Sequence, residues 1–206
     1  MSNPLATYIY DSIDTHRKEI MNKISKWHVM IDSQRIEMET FDKRKISIHG
    51  FTYNETVAHL YWNYFDPFIK EYISHKAEEI RKKAIEDCVD AQSCLELFRK
   101  NMYNTIQEIY TKIAKTDRLM RGNGYPDTVK LHPVDKEIHL LCQYVDAKVN
   151  AQINIIKKQK KKKITNFVME HINWLISIIL ITLSILCEKL GWFSVREWIK
   201  MFLEKI

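Results

Sequence analysis

Residues 157–192 read KKQKKKKITNFVMEHINWLISIILITLSILCEKLGW, and the rest of the chain is best read outward from them. Lys157, Lys158, Lys160, Lys161, Lys162 and Lys163 form a basic block with no acid inside it. From His171 to Cys187, between Glu170 and Glu188, no residue carries a fixed charge, and isoleucine and leucine dominate. A spanning helix needs roughly 17–25 residues of this kind, so the sequence predicts a transmembrane helix over 164–190. Trp174 and Trp192 bracket the run and stand roughly 27 Å apart at about 1.5 Å per residue, the separation of two interfacial aromatic belts. The lysines then set the orientation. Positive residues stay on the cytoplasmic side, so 157–163 reads as a juxtamembrane segment, 1–156 as a cytoplasmic domain, and the chain as single-pass, with a bacterial inner membrane as the expected location. The competing reading is a buried core helix, for which six abutting lysines are a poor neighbour.

Polar residues mark this helix. His171, Asn173 and Ser177 are candidate intramembrane contacts, since polar groups at that depth tend to face a partner helix or water. Thr182 and Ser184 add to them, and copies of the helix assembled around an aqueous path would use such positions. The alternative is that His171 and Asn173 lie at headgroup level. After Gly191 the pattern changes to an amphipathic helix, 191–206, with Trp192, Trp198, Ile199 and Phe202 on its apolar face and Arg196, Glu197 and Lys200 on the other. Such a helix suits the far interface or the surface of a neighbouring subunit.

Toward the N-terminus the chain is poor in punctuation. Four Gly and four Pro among 206 residues mean few turns and long elements, which favours an all-α fold. Ile9, Ile13, His16, Ile20, Ile24, Trp27, Ile31, Met38 and Phe41 follow a nearly heptad spacing and predict one helix over 5–43, followed by a short extended link at 45–51. Thr52-x-x-Glu55 and Ser93-x-x-Glu96 read as capping boxes, and Asp66-Pro67 as an N-cap with proline at the first helical position. Residues 121–132 read as a loop. No helix breaker intervenes between Pro133 and Gly191, so 134–190 is expected to be continuous. The expected architecture is a bundle of long antiparallel helices with a C-terminal transmembrane helix. Part of its heptad surface is expected to be shared in a homo-oligomer.

The net charge of +6 is accounted for by the lysine block, and the rest of the chain sums to zero. A nucleic-acid-binding face would spread its basic residues over the fold, so nucleic acid is not an expected partner. Cys88, Cys94, Cys142 and Cys187 contain no CxxC pair, and the first ten residues do not read as a signal peptide, which fits a reducing compartment. Cys187 reads as an inert thiol or an S-acylation site. The eight histidines form no HxxxH pair, His132 and His139 flank the last helix, and Gly122-x-Gly124 lacks the remainder of a phosphate-binding pattern. No metal or cofactor is expected. The aromatic run Tyr61 to Phe65 reads as core, not as a base-stacking platform, because basic residues are not interleaved with it.

No catalytic site is expected, and the one spacing that bears on catalysis is a short match. Arg44-Lys-Ile-Ser-Ile-His49 resembles the Arg…His spacing of HEPN-type ribonucleases, over these six residues only. In that chemistry histidine acts on the ribose hydroxyl proton and arginine stabilises phosphate charge. Three functions follow as expectations. The first is a membrane-disrupting or pore-like effector of the layout seen in small bacterial defence or toxin proteins. The second is a tail-anchored adaptor that recruits a cytoplasmic partner, and the third a membrane-tethered ribonuclease. The expected partners are lipid, further copies of the chain, and a cytoplasmic protein or signal whose identity the sequence does not give.

Overall fold

Large apolar residues recur every third or fourth position through the first thirty residues, and winding them into a helix gathers them on one stripe. The computed structural model of the chain describes residues 4–50, 55–121 and 133–189. Helix α1 (Pro4–Asp32) buries Leu5, Ile9, Ile13, His16, Ile20, Ile24, Trp27 and Ile31.

The helix stops at Asp32, well short of residue 43. Ser33 and Gln34 donate their N–H groups to Val29 O at 3.1 Å and Ile31 O at 3.0 Å, and Gln34 takes a φ of 53°. The chain then enters an antiparallel hairpin, β1 (Arg35–Glu39) and β2 (Lys45–His49). The fold is therefore mostly helical but not all-α. The cause is a change of period. Ile36 pairs with Ile48 and Met38 with Ile46 on the inner face, while Arg35, Glu37 and Glu39 meet His49, Ser47 and Lys45 on the outer. Ile36 is fully buried, which fixes this register, because a one-residue slip would turn it outward. Ile31 and Met38 lie seven apart and satisfy a heptad as readily as a helix end followed by a strand. Tyr64 Oη donates to Glu39 O at 3.2 Å and Phe41 packs edge-on against Phe68, holding the hairpin to the helices.

Two further boundaries differ from the sequence reading. Between α2 (Glu55–Tyr64) and α3 (Asp66–Glu86) the N-cap position is Phe65, in helical conformation and with no side-chain cap. Asp66 instead pairs with Lys70 at 2.7 Å. Helix α4 (Ala91–Arg121) is capped by Asp90, whose carboxylate accepts from the N–H groups of Gln92 and Ser93 at 3.3 Å and from Ser93 Oγ at 2.5 Å. A charged carboxylate satisfies two orphan donors and complements the helix dipole at once, and Ser93 is recruited as its donor. Thr52 lies outside the described residues.

The turn from α3 to α4 closes as a Schellman motif. Val89 N donates to Ala84 O at 2.9 Å and Cys88 N to Ile85 O at 3.3 Å, with Cys88 at a φ of 55°. That left-handed position is one glycine occupies without steric cost. Cys88→Gly is expected to stabilise the bundle by about 0.5–1 kcal/mol, because relief of the left-handed penalty exceeds the added chain entropy. A denaturation midpoint that stays put or falls would contradict this.

Helix α4 is the centre of the core. Leu95, Phe98, Met102, Ile106, Ile109 and Ile113 are fully buried. The first part of α5 (Val134–Lys189) adds Leu141, Val145, Val149, Ile153 and Ile156. Polar ties fasten it to its neighbours: Tyr103 Oη to Asp146 at 2.5 Å, Arg99 to Asn150 at 2.5 Å, Arg81 to Gln152 at 2.7 Å, and the hydroxyls of Ser74 and Tyr144 at 2.8 Å. These pairings, with Tyr8 against Glu79 and Ser12 against Tyr72, make α1 and α3 antiparallel, and α4 and α5 antiparallel. The chain divides into two units, Met1–Ile156 and Lys157–Ile206. The bundle and its hairpin are the first.

One buried core residue is a histidine. His16 is 8% exposed, and its ring lies flat on Tyr72 with centroids 3.9 Å apart. Burial lowers its pKa to about 4, so the fold favours the neutral ring. Its contribution is complete above the unfolded value near 6.5 and is lost as pH falls through 6.5 towards 4, about 3 kcal/mol over that window. Chemical denaturation at pH 7 and pH 4.5 is expected to show this loss, and His16→Phe to flatten it. An equal fall in both chains would assign the effect elsewhere.

Candidate membrane segment

Burial ends at one residue. Ile156, 8% exposed, is the last buried side chain of α5, and none of the described side chains from Lys157 to Leu186 is buried. Across that boundary the helix stays unbroken, because no glycine or proline interrupts it.

The first feature beyond the boundary is the basic block. Lys157, Lys158, Lys160, Lys161, Lys162 and Lys163 are all exposed. At about 100° per residue they project to every side of the helix, forming a collar instead of a stripe. The collar occupies about 9 Å of helix, close to the thickness of one headgroup layer.

The second feature follows at once. Ile164, Phe167, Val168, Met169, Ile172, Trp174 and the aliphatic residues through Leu186 are all at least 39% exposed. Among helices of soluble folds, one that is apolar all round is buried in protein. Here the most apolar window has 0% of its residues buried, and the helix is long and apolar enough to cross a membrane. Residues 164–186 extend about 34 Å at 1.5 Å per residue, against a hydrocarbon thickness of roughly 30 Å.

Polar residues off the principal apolar faces are satisfied within the helix. Thr165 Oγ1 donates to Lys161 O at 3.0 Å, His171 Nδ1 to Phe167 O at 2.8 Å, Thr182 Oγ1 to Ile178 O at 2.7 Å and Ser184 Oγ to Leu180 O at 2.8 Å. The His171 ring also stacks on Phe167 at 4.2 Å. Each such bond lowers the cost of placing that group in a low-dielectric medium. His171 is thus internally paired, Ser177 is exposed, and position 173 is helical. The segment holding Trp192, Trp198, Ile199 and Phe202 lies outside the described residues, as do Gly122, Gly124 and His132.

Arg44 and His49 are not brought together. Arg44 lies in the hairpin turn, 80% exposed and paired with Asp42, and His49 ends β2 with Nε2 2.9 Å from Ser47 Oγ. Five residues of extended chain separate them by roughly 16 Å and place them on opposite faces. A shared phosphate site needs both groups within hydrogen-bond reach of one substrate. Among the described residues no group of three His, Cys, Asp or Glu side chains could hold a metal ion, and Cys88, Cys94 and Cys142 are unpaired.

The residues that the sequence reading passed over are Asn166 and Glu170, both exposed on α5. The signal that would have found them is their spacing of four, three and four to positions 173 and 177.

No family model, curated protein or solved structure matches the chain. The structure shows a mostly helical bundle and, in α5, one helix long and apolar enough to cross a membrane.

Proposed function

We propose that the chain is a single-pass membrane protein, with the bundle on the lysine-collared, cytoplasmic side, and that self-associated copies act on the bilayer as a membrane-disrupting or pore-like effector. The observation that carries this reading is the exposed apolar tract of α5 beginning directly after its lysine collar. Hydrocarbon is the medium in which that surface is stable, and the collar keeps its own side of the helix among headgroups and water.

The distribution of exposed apolar surface favours action at the bilayer over adaptor duty. In the bundle, Tyr10, Val29, Phe41, Ile85, Leu119 and Leu140 are exposed at separate places, the ordinary condition of a protein surface. The groove beside α1 and α4 is lined by Met21 and otherwise by polar or charged residues, among them Asn104, Gln107, Glu108, Lys112 and Lys115. The apolar surface in excess of what a soluble domain tolerates is concentrated in the membrane segment.

Expression in bacteria of the full chain beside residues 1–163, with a potential-sensitive dye, tests the reading. The full chain is expected to depolarise cells and slow growth, and the truncated chain to do neither. If potential and growth are indifferent to residues 164–206, the segment is an anchor and the adaptor reading replaces this one.

A further inference from the structure

At about 100° per residue, Asn166, Glu170, Ser177 and Ser184 fall within about 40° of one another on α5, and position 173, an asparagine, shares the register. Leu180 is the one apolar residue in that line. The rest of the circumference from 164 to 186 is aliphatic or aromatic except for Thr165, His171 and Thr182. Those three each bond a carbonyl of the turn before. On the line Ser184 bonds Leu180 O in the same way and Ser177 also has a partner, but neither the Asn166 amide nor the Glu170 carboxylate has one. A helix wetted evenly at headgroup depth has no physical reason to confine such groups to one side while Phe167, Val168 and Ile172 occupy the other.

The spacing of four, three, four and seven residues covers 18 residues in five turns, 3.6 per turn, so the line stays on one face of a straight helix over its whole length. In a membrane, polar side chains of this kind face another helix and hydrogen-bond across it. We propose that this line is the self-association seam between parallel copies of α5, an inference that rests on the membrane insertion proposed above. The occupant is a second copy for two reasons. Amide and hydroxyl groups both donate and accept, so asparagine and serine are complementary to themselves when two copies lie in register. The collar also gives every copy the same orientation, so the copies that meet are parallel, with like positions at like depth. Glu170 lies at the margin of the line, about 40° from Asn166, and flanks the seam, so that two carboxylates do not meet head-on. His171 lies outside it.

The test uses full-length chains labelled at the N-terminus with donor or acceptor dyes and incorporated into phosphatidylcholine–phosphatidylglycerol vesicles. Energy transfer is followed as lipid is added. The seam variant is Asn166→Leu/Ser177→Leu/Ser184→Leu, and the control is Thr165→Leu/His171→Leu/Thr182→Leu. Both sets lie in Lys157–Ile206, outside the bundle unit, and an unchanged bundle melt checks that it is intact. The seam variant is expected to need about tenfold less dilution to dissociate than the wild type, and the control to match the wild type. Equal association of all three chains overturns the seam, and so does equal loss in both variants. A wild-type chain that floats with vesicles but stays monomeric overturns the seam and the self-association proposed above, and leaves membrane insertion standing. One that fails to float removes the membrane reading and the seam with it.

Discussion

Leu175→Arg combined with Ile179→Arg is expected to move the chain from the membrane fraction to the soluble one. Both residues lie away from the polar line and are 49% and 56% exposed. On an insertion scale each arginine near the centre of a span costs about 2.5–3.5 kcal/mol, and each lost leucine or isoleucine forfeits a further 0.3–0.6 kcal/mol. The ten large aliphatic residues from Ile172 to Leu186 together favour insertion by only about 3–6 kcal/mol, so the pair reverses the sign. Vesicle flotation reads the change, and the unfolding midpoint of the bundle should not move. Retention of the doubly substituted chain in the floated fraction would mean that something other than the apolar tract holds the protein to lipid.

Phe98→Ala should do the reverse, leaving membrane association intact while strongly destabilising the bundle. Phe98 is fully buried on α4, the helix at the centre of the core, with its ring 6.4 Å from that of Tyr72. Deleting a ring from such a site costs about 3–5 kcal/mol through lost transfer energy and the cavity left behind, a large part of the roughly 5–15 kcal/mol that stabilises a domain. Val29→Ala, at a residue 66% exposed on α1, should cost under about 0.5 kcal/mol. Urea titration followed by circular dichroism compares the two. A loss below about 1 kcal/mol for Phe98→Ala would place the core elsewhere.

What the sequence made legible was what one strong period makes legible. The stripe from Leu5 to Ile31, the stripe on α4 and the unbroken run from Val134 to Lys189 each repeat one signal many times, so neighbouring residues reinforce the reading. Half of the hairpin was legible, since the extended link read at 45–51 holds β2, but β1 was missed because Ile36 and Met38 supply only two alternations and Met38 also fits the heptad of α1. The hairpin turn gives little warning, since Lys43 takes a φ of 62° where glycine would announce it. Caps failed for a similar reason. Ser93-x-x-Glu96 matches a motif, but Asp90 stands three residues earlier with a charge, and the stronger acceptor set the boundary. At the candidate site, the lysines and the apolar tract could be read as residue types, because their meaning depends on composition. Separating His171 from Asn166 required the helix itself, since azimuth and back-bonding decide which polar group is left without a partner. The Arg44 and His49 spacing failed on geometry: a strand holds residues five apart at arm's length, whereas a helix would hold them within about two turns.

The proposed function requires that α5 cross the bilayer, and alkaline carbonate extraction of membranes carrying the full-length chain tests that most directly. Integral insertion predicts that the protein stays in the pellet after the wash and is released only by detergent. Recovery in the alkaline supernatant would show a chain held by charge at the surface, with its apolar tract covered by protein instead of lipid.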